Sequence, residues 1–225
     1  MAGRVLDTGE SHVETRCVHF MGLPLLPLKS YAVIDEASGA SIELAELNAD
    51  SVVAAYGRAW GPALVIAGAA ALALGGDLAT DAFCVAAGVI GALIGWRAGR
   101  LSDDDRARYA VYQQHTRRSL DPALLGSEER ASLREDLLRF VVDAAIVYAG
   151  KTYREAGASP REEWESVVLA AEVTDELLLT RALTLARIET AGAHSAKEKQ
   201  RFAAAHEAIW AKLVALRKPA LPASK

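Results

Sequence analysis

Residues 59–97, AWGPALVIAGAAALALGGDLATDAFCVAAGVIGALIGWR, hold two runs without a charged side chain, Ala59–Gly76 and Ala82–Trp96, with Asp77 and Asp81 between them. A helix that crosses a bilayer needs about 20 mostly apolar residues. The first run supplies 18, and the second supplies 15, or 19 when counted from Leu78 with Asp81 near its start. Gly75-Gly76-Asp77-Leu78-Ala79 is the sharpest turn signal in the chain. The stretch therefore predicts a tight helical hairpin with spans at 59–76 and 78–97. A hydrophobic hairpin buried in a soluble helical protein is the competing reading, because both runs are short and diluted by alanine and glycine.

The flanks favour the membrane. Trp60 and Trp96 sit at the ends away from the turn, where an interfacial aromatic belt places them. Arg58 lies on one side of the hairpin and Arg97, Arg100, Arg106 and Arg108 on the other, whereas the turn has only Asp77 and Asp81. The positive-inside rule then puts both termini in the cytoplasm of a multi-pass protein of the inner (plasma) membrane. Small residues suggest how the spans meet. Ala63, Ala67, Ala71 and Gly75 recur every fourth position in the first span, and Ala87, Gly91, Gly95 and Gly99 in the second. Such ridges let helix backbones approach closely in lipid, within one chain or between chains of a homo-oligomer. Pro62 lacks an amide donor and is expected to kink the helix at the start of the first span.

Upstream of the hairpin, residues 1–11 read as a mobile tail. Asp7, Glu10 and Glu14 interrupt any apolar core a cleavable signal would need. Strand-type patterning begins at His12 and runs to Phe20, returns at Ser30–Ile34 and again at Ser41–Leu44, with a turn at Ala37–Ala40. Gly22-Leu23-Pro24-Leu25-Leu26-Pro27-Leu28 is expected to be a loop, since each proline fixes φ and removes an amide donor. Its leucines either cap a small core or dip into the membrane interface. Asn48 or Asp50 is placed to cap the helix leading into the first span, and Thr80 the second.

Downstream, start and stop signals outline soluble helices. Ser102-Asp103-Asp104-Asp105 opens one that Asp121-Pro122 stops. Ser127 opens a second with Leu133, Leu137, Phe140, Val141, Ala144, Val147 and Tyr148 on one face. Ser159-Pro160-Arg161-Glu162 is a capping box for a third that runs to Gly192, and Ser195 with Glu198 caps a last one bearing Phe202, Ile209, Trp210 and Leu213. The fold class expected is a mainly α membrane protein. A small N-terminal β segment (1–47) precedes the transmembrane hairpin (48–100) and a cytoplasmic antiparallel helical bundle with a flexible tail (101–225).

Composition agrees with that segregation. The chain is 52% hydrophobic yet 24% charged, too much of both for an evenly mixed soluble domain. A net charge of −4 gives no basic footprint for nucleic acid. Cys17 and Cys84 make no disulfide framework and fit a reducing compartment. Abundant Ala, Gly and Arg point to a GC-rich bacterial genome.

Chemistry is sparse. His12, Cys17 and His19 are the only clustered metal-capable residues, and their spacing matches no zinc signature. His206 falls on the apolar stripe of the last helix, where a satisfied core histidine is expected. No Glu-x-x-His pair, phosphate loop, nucleophile elbow or zincin helix occurs. No catalytic, cofactor-binding or metal residue is assigned. The function expected is non-enzymatic: a membrane-anchored interaction or scaffold module, with the bilayer and a protein partner or a second copy as its contacts. A small oligomeric pore, or a membrane enzyme with an unrecognised site, is the alternative.

Overall fold

The β-branched and aromatic run from His12 forms strand β1 (His12–Phe20), which pairs antiparallel with β2 (Leu23–Asp35); β2 pairs in turn with β3 (Ala40–Glu43). The computed structural model describes residues 3–35, 40–44, 46–149, 164–170 and 172–217; the turn expected at Ala37–Ala40 lies, but for Ala40, outside them. Beyond the sheet the chain is helical: α1 (Ala49–Ala73), α2 (Leu78–Arg97), α3 (Asp103–Thr116), a 3₁₀ turn (Pro122–Leu124), α4 (Ser127–Ala149), α5 (Trp164–Val168), α6 (Glu176–Gly192) and α7 (Ala196–Arg217).

The proline-rich stretch is a correction: Leu23–Leu28 is strand, not loop. β3 pairs with Tyr31–Asp35, so among the described residues the proline half of β2 has one partner strand, β1, and one edge without a strand, where a missing amide donor is tolerated. Cys17 pairs with Pro27 and His19 with Pro24, each beside a register shift that leaves Leu28 and Leu25 as the extra residues. Bulges thus absorb the prolines. The chain reverses at Met21–Gly22, both at positive φ.

Two compact units emerge, residues 1–109 with 118–120 and residues 110–117 with 121–225. The β segment and the helical hairpin, expected as separate domains, therefore share one unit. Val5, Val13, Ala32, Ala54 and Ala55 are fully buried in it. Asn48 is the N-cap of α1, its Oδ1 accepting from the Ser51 amide at 2.9 Å, while its own amide donates to Ser30 Oγ at 2.9 Å. Sheet and helix are joined at that point. α1 runs unbroken through Pro62. The cap of α2 is Asp77 rather than Thr80, because Asp77 Oδ2 accepts from the Thr80 amide at 2.9 Å.

Where a tail was expected, residues 3–11 are bonded into the unit. Val5 bridges Val13, the Leu6 amide donates to Gly99 O at 2.8 Å, Ser51 Oγ to Gly3 O at 2.6 Å and Arg58 Nη1 to Arg4 O at 2.6 Å. Gly99, at φ +62, leaves no room for a Cβ against Val5, so it is a docking point for this segment rather than part of a helix ridge.

In the second unit α6 is buried almost all round, from Leu178 to Ile188, and packs on α7 and α4. Its threonines Thr180, Thr184 and Thr190 return their hydroxyls to carbonyls three or four residues back, so no hydroxyl is stranded in the core. The long helix expected from Ser159 to Gly192 is broken. Its capping box at Ser159–Glu162 lies outside the described residues, α5 ends at Val168, and Asp175 starts α6 by accepting from the Leu177 and Leu178 amides. Lys212 Nζ donates to the freed carbonyls of Val168 and Ala170. On α4 the buried positions are Leu137, Leu138 and Val141, whereas Val147, expected on that face, is exposed. The Ser195–Glu198 capping box forms as read, with Glu198 Oε2 accepting from the Ser195 amide and Ser195 Oγ from the Glu198 amide, each at 3.2 Å.

His206 is satisfied from both sides. Its Nε2 pairs with the Tyr112 hydroxyl at 2.6 Å and its Nδ1 with Glu207 Oε1 at 3.2 Å. His115, one turn from Tyr112, has no partner on its buried Nε2 among the described residues. Burial, with the Arg181 charge second, pushes its pKa down from the ordinary 6.5. The folded form is thus neutral where the unfolded chain would bind a proton, and stability rises with pH through that window. Unit stability is expected to be full above about pH 6.5 and to fall as the pH drops below it. Melting the full-length protein at pH 7.5 and 5.5 checks this: His115→Gln should flatten the dependence, and an unchanged slope would remove His115 as its source.

Candidate membrane-facing surface

Two helices, α1 and α2, are long and apolar enough to cross a membrane, and only 22% and 17% of their most apolar windows are buried. Both fractions are low because the contact between the helices is made of glycine. A Cβ on Gly61 would lie 2.6 Å from Ala92 N, one on Gly88 2.7 Å from Gly61 O, and one on Gly95 2.7 Å from the Gly57 backbone. Backbone meets backbone along Gly57, Gly61 and Gly68 of α1 and Gly88, Ala92 and Gly95 of α2. Larger side chains are left to point away: Ile66 is 70% exposed, Phe83 72% and Ile90 57%.

Of the ridges read from the sequence, only part lies in this contact. Gly95 is buried in it, and Gly91 contributes its carbonyl, 2.5 Å from where a Gly57 Cβ would be. Ala67 is exposed and Ala63, Ala71 and Ala87 are half-buried. Gly75 is a turn residue at φ +84 with open space around it. The α1 ridge is therefore shifted from the alanines to Gly57, Gly61 and Gly68. The sequence signal for it exists, as Gly57 and Gly61 are four apart, but it straddles Arg58 and falls outside an uncharged window.

At the ends away from the turn, Trp60 Nε1 donates to Pro24 O at 2.8 Å and the Tyr56 hydroxyl to Leu25 O at 2.5 Å. These bonds hold the proline half of β2 alongside the start of the apolar stretch of α1. The strand tip is greasy: Phe20 is 61% exposed, Met21 88% and Leu26 63%. Trp96 is half exposed on α2, with Arg97 and Arg100 exposed just beyond it. One end of the hairpin thus gathers aromatic, aliphatic and cationic groups into a graded surface. At the other end hydrogen bonds from Thr80 hold the Asp77 carboxyl below its ordinary value, so the turn keeps its negative charge.

Among the described residues, reactive groups are not gathered anywhere comparable. Burial pushes the Cys17 thiol up, away from the thiolate a nucleophile needs. No group of three or more His, Cys, Asp or Glu able to hold a metal occurs among the described residues; His12 Nε2 lies 3.9 Å from Glu14 Oε2. In the second unit a cavity of about 570 Å³ is lined by Arg134, Glu189, Glu198 and Arg201 among others. Its charges are engaged by the fold: Arg134 with Glu189 at 2.8 Å, Arg201 with Glu165 at 2.7 Å, and Glu198 with the α7 cap.

Comparison with protein-family models, with curated proteins and with solved structures finds no match to this chain.

Proposed function

We propose that α1 and α2 cross the inner membrane as a hairpin with both termini cytoplasmic, and that the second helical unit is a cytoplasmic bundle that binds a protein partner. The chain is then a membrane-anchored interaction module. One observation carries the reading: two apolar helices meet through glycine and leave their large side chains uncovered, each with under a quarter of its apolar window buried. The core helix of a soluble protein would be mostly buried, whereas lipid rewards close backbone packing and covers an apolar exterior. The arginine and tryptophan end faces the cytoplasm by the positive-inside rule. An oligomeric pore is disfavoured, because Gly95, at the centre of the ridge it would use for assembly, already packs on Gly57 of the neighbouring helix, and Gly99 is covered by Val5 of the same chain.

In a Cys17→Ser, Cys84→Ser background, Leu78→Cys is expected to react with an impermeant thiol reagent in intact cells and Ser127→Cys to be protected. The opposite pattern reverses the orientation. Release of the protein by carbonate without detergent ends the membrane reading altogether. A stoichiometric partner recovered with the full-length protein, and lost on substitution of exposed residues of α4 or α7, supports the interaction role; ion flux through reconstituted liposomes would replace it with the pore.

A further inference from the structure

At the arginine end of the hairpin the docked N-terminal segment and the exit of α2 enclose a cavity of about 410 Å³, lined by Arg4, Arg58, Arg100, Arg106 and Asp7 together with Val5, Leu6, Gly99 and Leu101. The lining thus holds four arginines and one carboxylate. Asp7 is engaged, bonded to Arg4 at 2.9 Å and accepting from the Gly9 amide at 2.8 Å. Arg106 reaches out to Asp103 at 3.3 Å, both well exposed. Arg58 and Arg100 have no carboxylate partner among the described residues, and Arg100 lies near enough to repel Arg58.

Arg58 is the built part of the arrangement. It is half-buried, and its Nε and Nη1 donate to Gly95 O at 3.0 Å and Arg4 O at 2.6 Å. Two carbonyls therefore fix the guanidinium plane, and three of its five N–H donors have no acceptor among the described residues. A half-buried cation without a counter-charge, beside a second cation, is a costly arrangement that an anion with several acceptor oxygens relieves. Among the described residues no aspartate or glutamate pairs with Arg58 or Arg100.

We infer that this cavity binds a phosphate group, supplied in the membrane by the headgroup of an anionic phospholipid. The cavity's size is within the range of small-ligand sites and exceeds what a bare phosphate needs, leaving space for the glycerol of a headgroup. Its position sets the source: it lies at the Trp60 and Trp96 end of the hairpin, the level of lipid phosphates, and in the proposed orientation it faces the leaflet that carries anionic lipid. The lipid source rests on the hairpin spanning the bilayer; the phosphate chemistry rests on the arginines alone.

The test uses full-length protein purified in neutral detergent, with phosphatidylglycerol, phosphatidylcholine and inorganic phosphate as separate probes, read by native mass spectrometry and by tryptophan fluorescence. One phosphatidylglycerol per chain, retained over phosphatidylcholine, is expected. Arg100→Gln, at an exposed residue with no structural bond to lose, should weaken it by about tenfold or more, the loss of one charged hydrogen-bonding partner. Arg97→Gln, outside the cavity lining, should change it less than about twofold. Inorganic phosphate that binds, and is weakened by Arg100→Gln, while phosphatidylglycerol does not, overturns the headgroup source and points to a soluble phosphate. Equal loss in Arg97→Gln and Arg100→Gln, or no binding of either anion, overturns the site. Carbonate extraction run in parallel separates failure of the membrane reading from failure of the cavity.

Discussion

Gly61→Leu is expected to abolish the folded hairpin. In α1 the Gly61 Cα faces Ala92, and an added Cβ falls 2.6 Å from Ala92 N and 2.8 Å from its Cα, well inside van der Waals contact. The obstacles are backbone atoms of a helix, which cannot rotate aside as a side chain can. One turn away on the same face of α2, a Cβ on Gly88 would likewise lie 2.7 Å from the Gly61 carbonyl oxygen, so the two backbones are already as close as glycine allows along this stretch and only separation of the helices relieves the clash. Overpacking a core costs about 1–3 kcal/mol where side chains yield, and here the penalty is at the upper end or beyond it. Gly95→Leu should behave alike, because its Cβ would lie 2.7 Å from the Gly57 backbone. Ala67→Leu, on an exposed position of the same helix, should be tolerated. Abundance in the membrane fraction and the midpoint of thermal aggregation in detergent measure the effect. Wild-type melting of Gly61→Leu would mean that the helices do not pack along these glycines.

The same residues mark how far the sequence could be read. The helical hairpin was legible because uncharged length and a Gly-Gly-Asp turn are local signals, and so was β1, whose bounds follow its β-branched run. The packing ridge was less so. A period of four is written equally by Ala63-Ala67-Ala71 and by Gly57-Gly61, and only the azimuth of each helix, set by the neighbour, chooses between them. Leu23–Leu28 escaped because proline's incompatibility with a strand depends on whether that strand has a partner on both sides, a tertiary fact. The break before α6 had a local signal, Thr174-Asp175, hidden inside an apolar run that favoured continuity. The arginine cavity was half visible. Arg58 and Arg100 stood out as flanking charges, but Arg4 and Asp7 belong to a segment with no periodicity, tied down by backbone hydrogen bonds that composition does not report.

In the second unit the largest effect is expected at Leu183. The residue is fully buried on α6, as are Leu178, Leu179 and Leu185 on the same helix and Ile209 and Leu213 on α7. Truncation to alanine removes the transfer contribution of the lost methyl and methylene groups and leaves a cavity among neighbours that are themselves close-packed. A buried Leu→Ala change costs about 2–5 kcal/mol, the spread reflecting how far the site collapses. Here collapse is restrained, because Thr180 and Thr184 are bonded back to their own helix and Asp175 fixes its start. The cost should therefore sit in the upper half of that range. Leu177, on the same helix but 49% exposed, provides the comparison: Leu177→Ala should stay within about 1 kcal/mol of the parent. Hydrogen exchange of α6 and α7 amides in the full-length protein reads the difference directly, since protection of a core helix falls in step with the free energy of opening it. Equal protection in Leu183→Ala and Leu177→Ala would show that α6 is not the centre of this core.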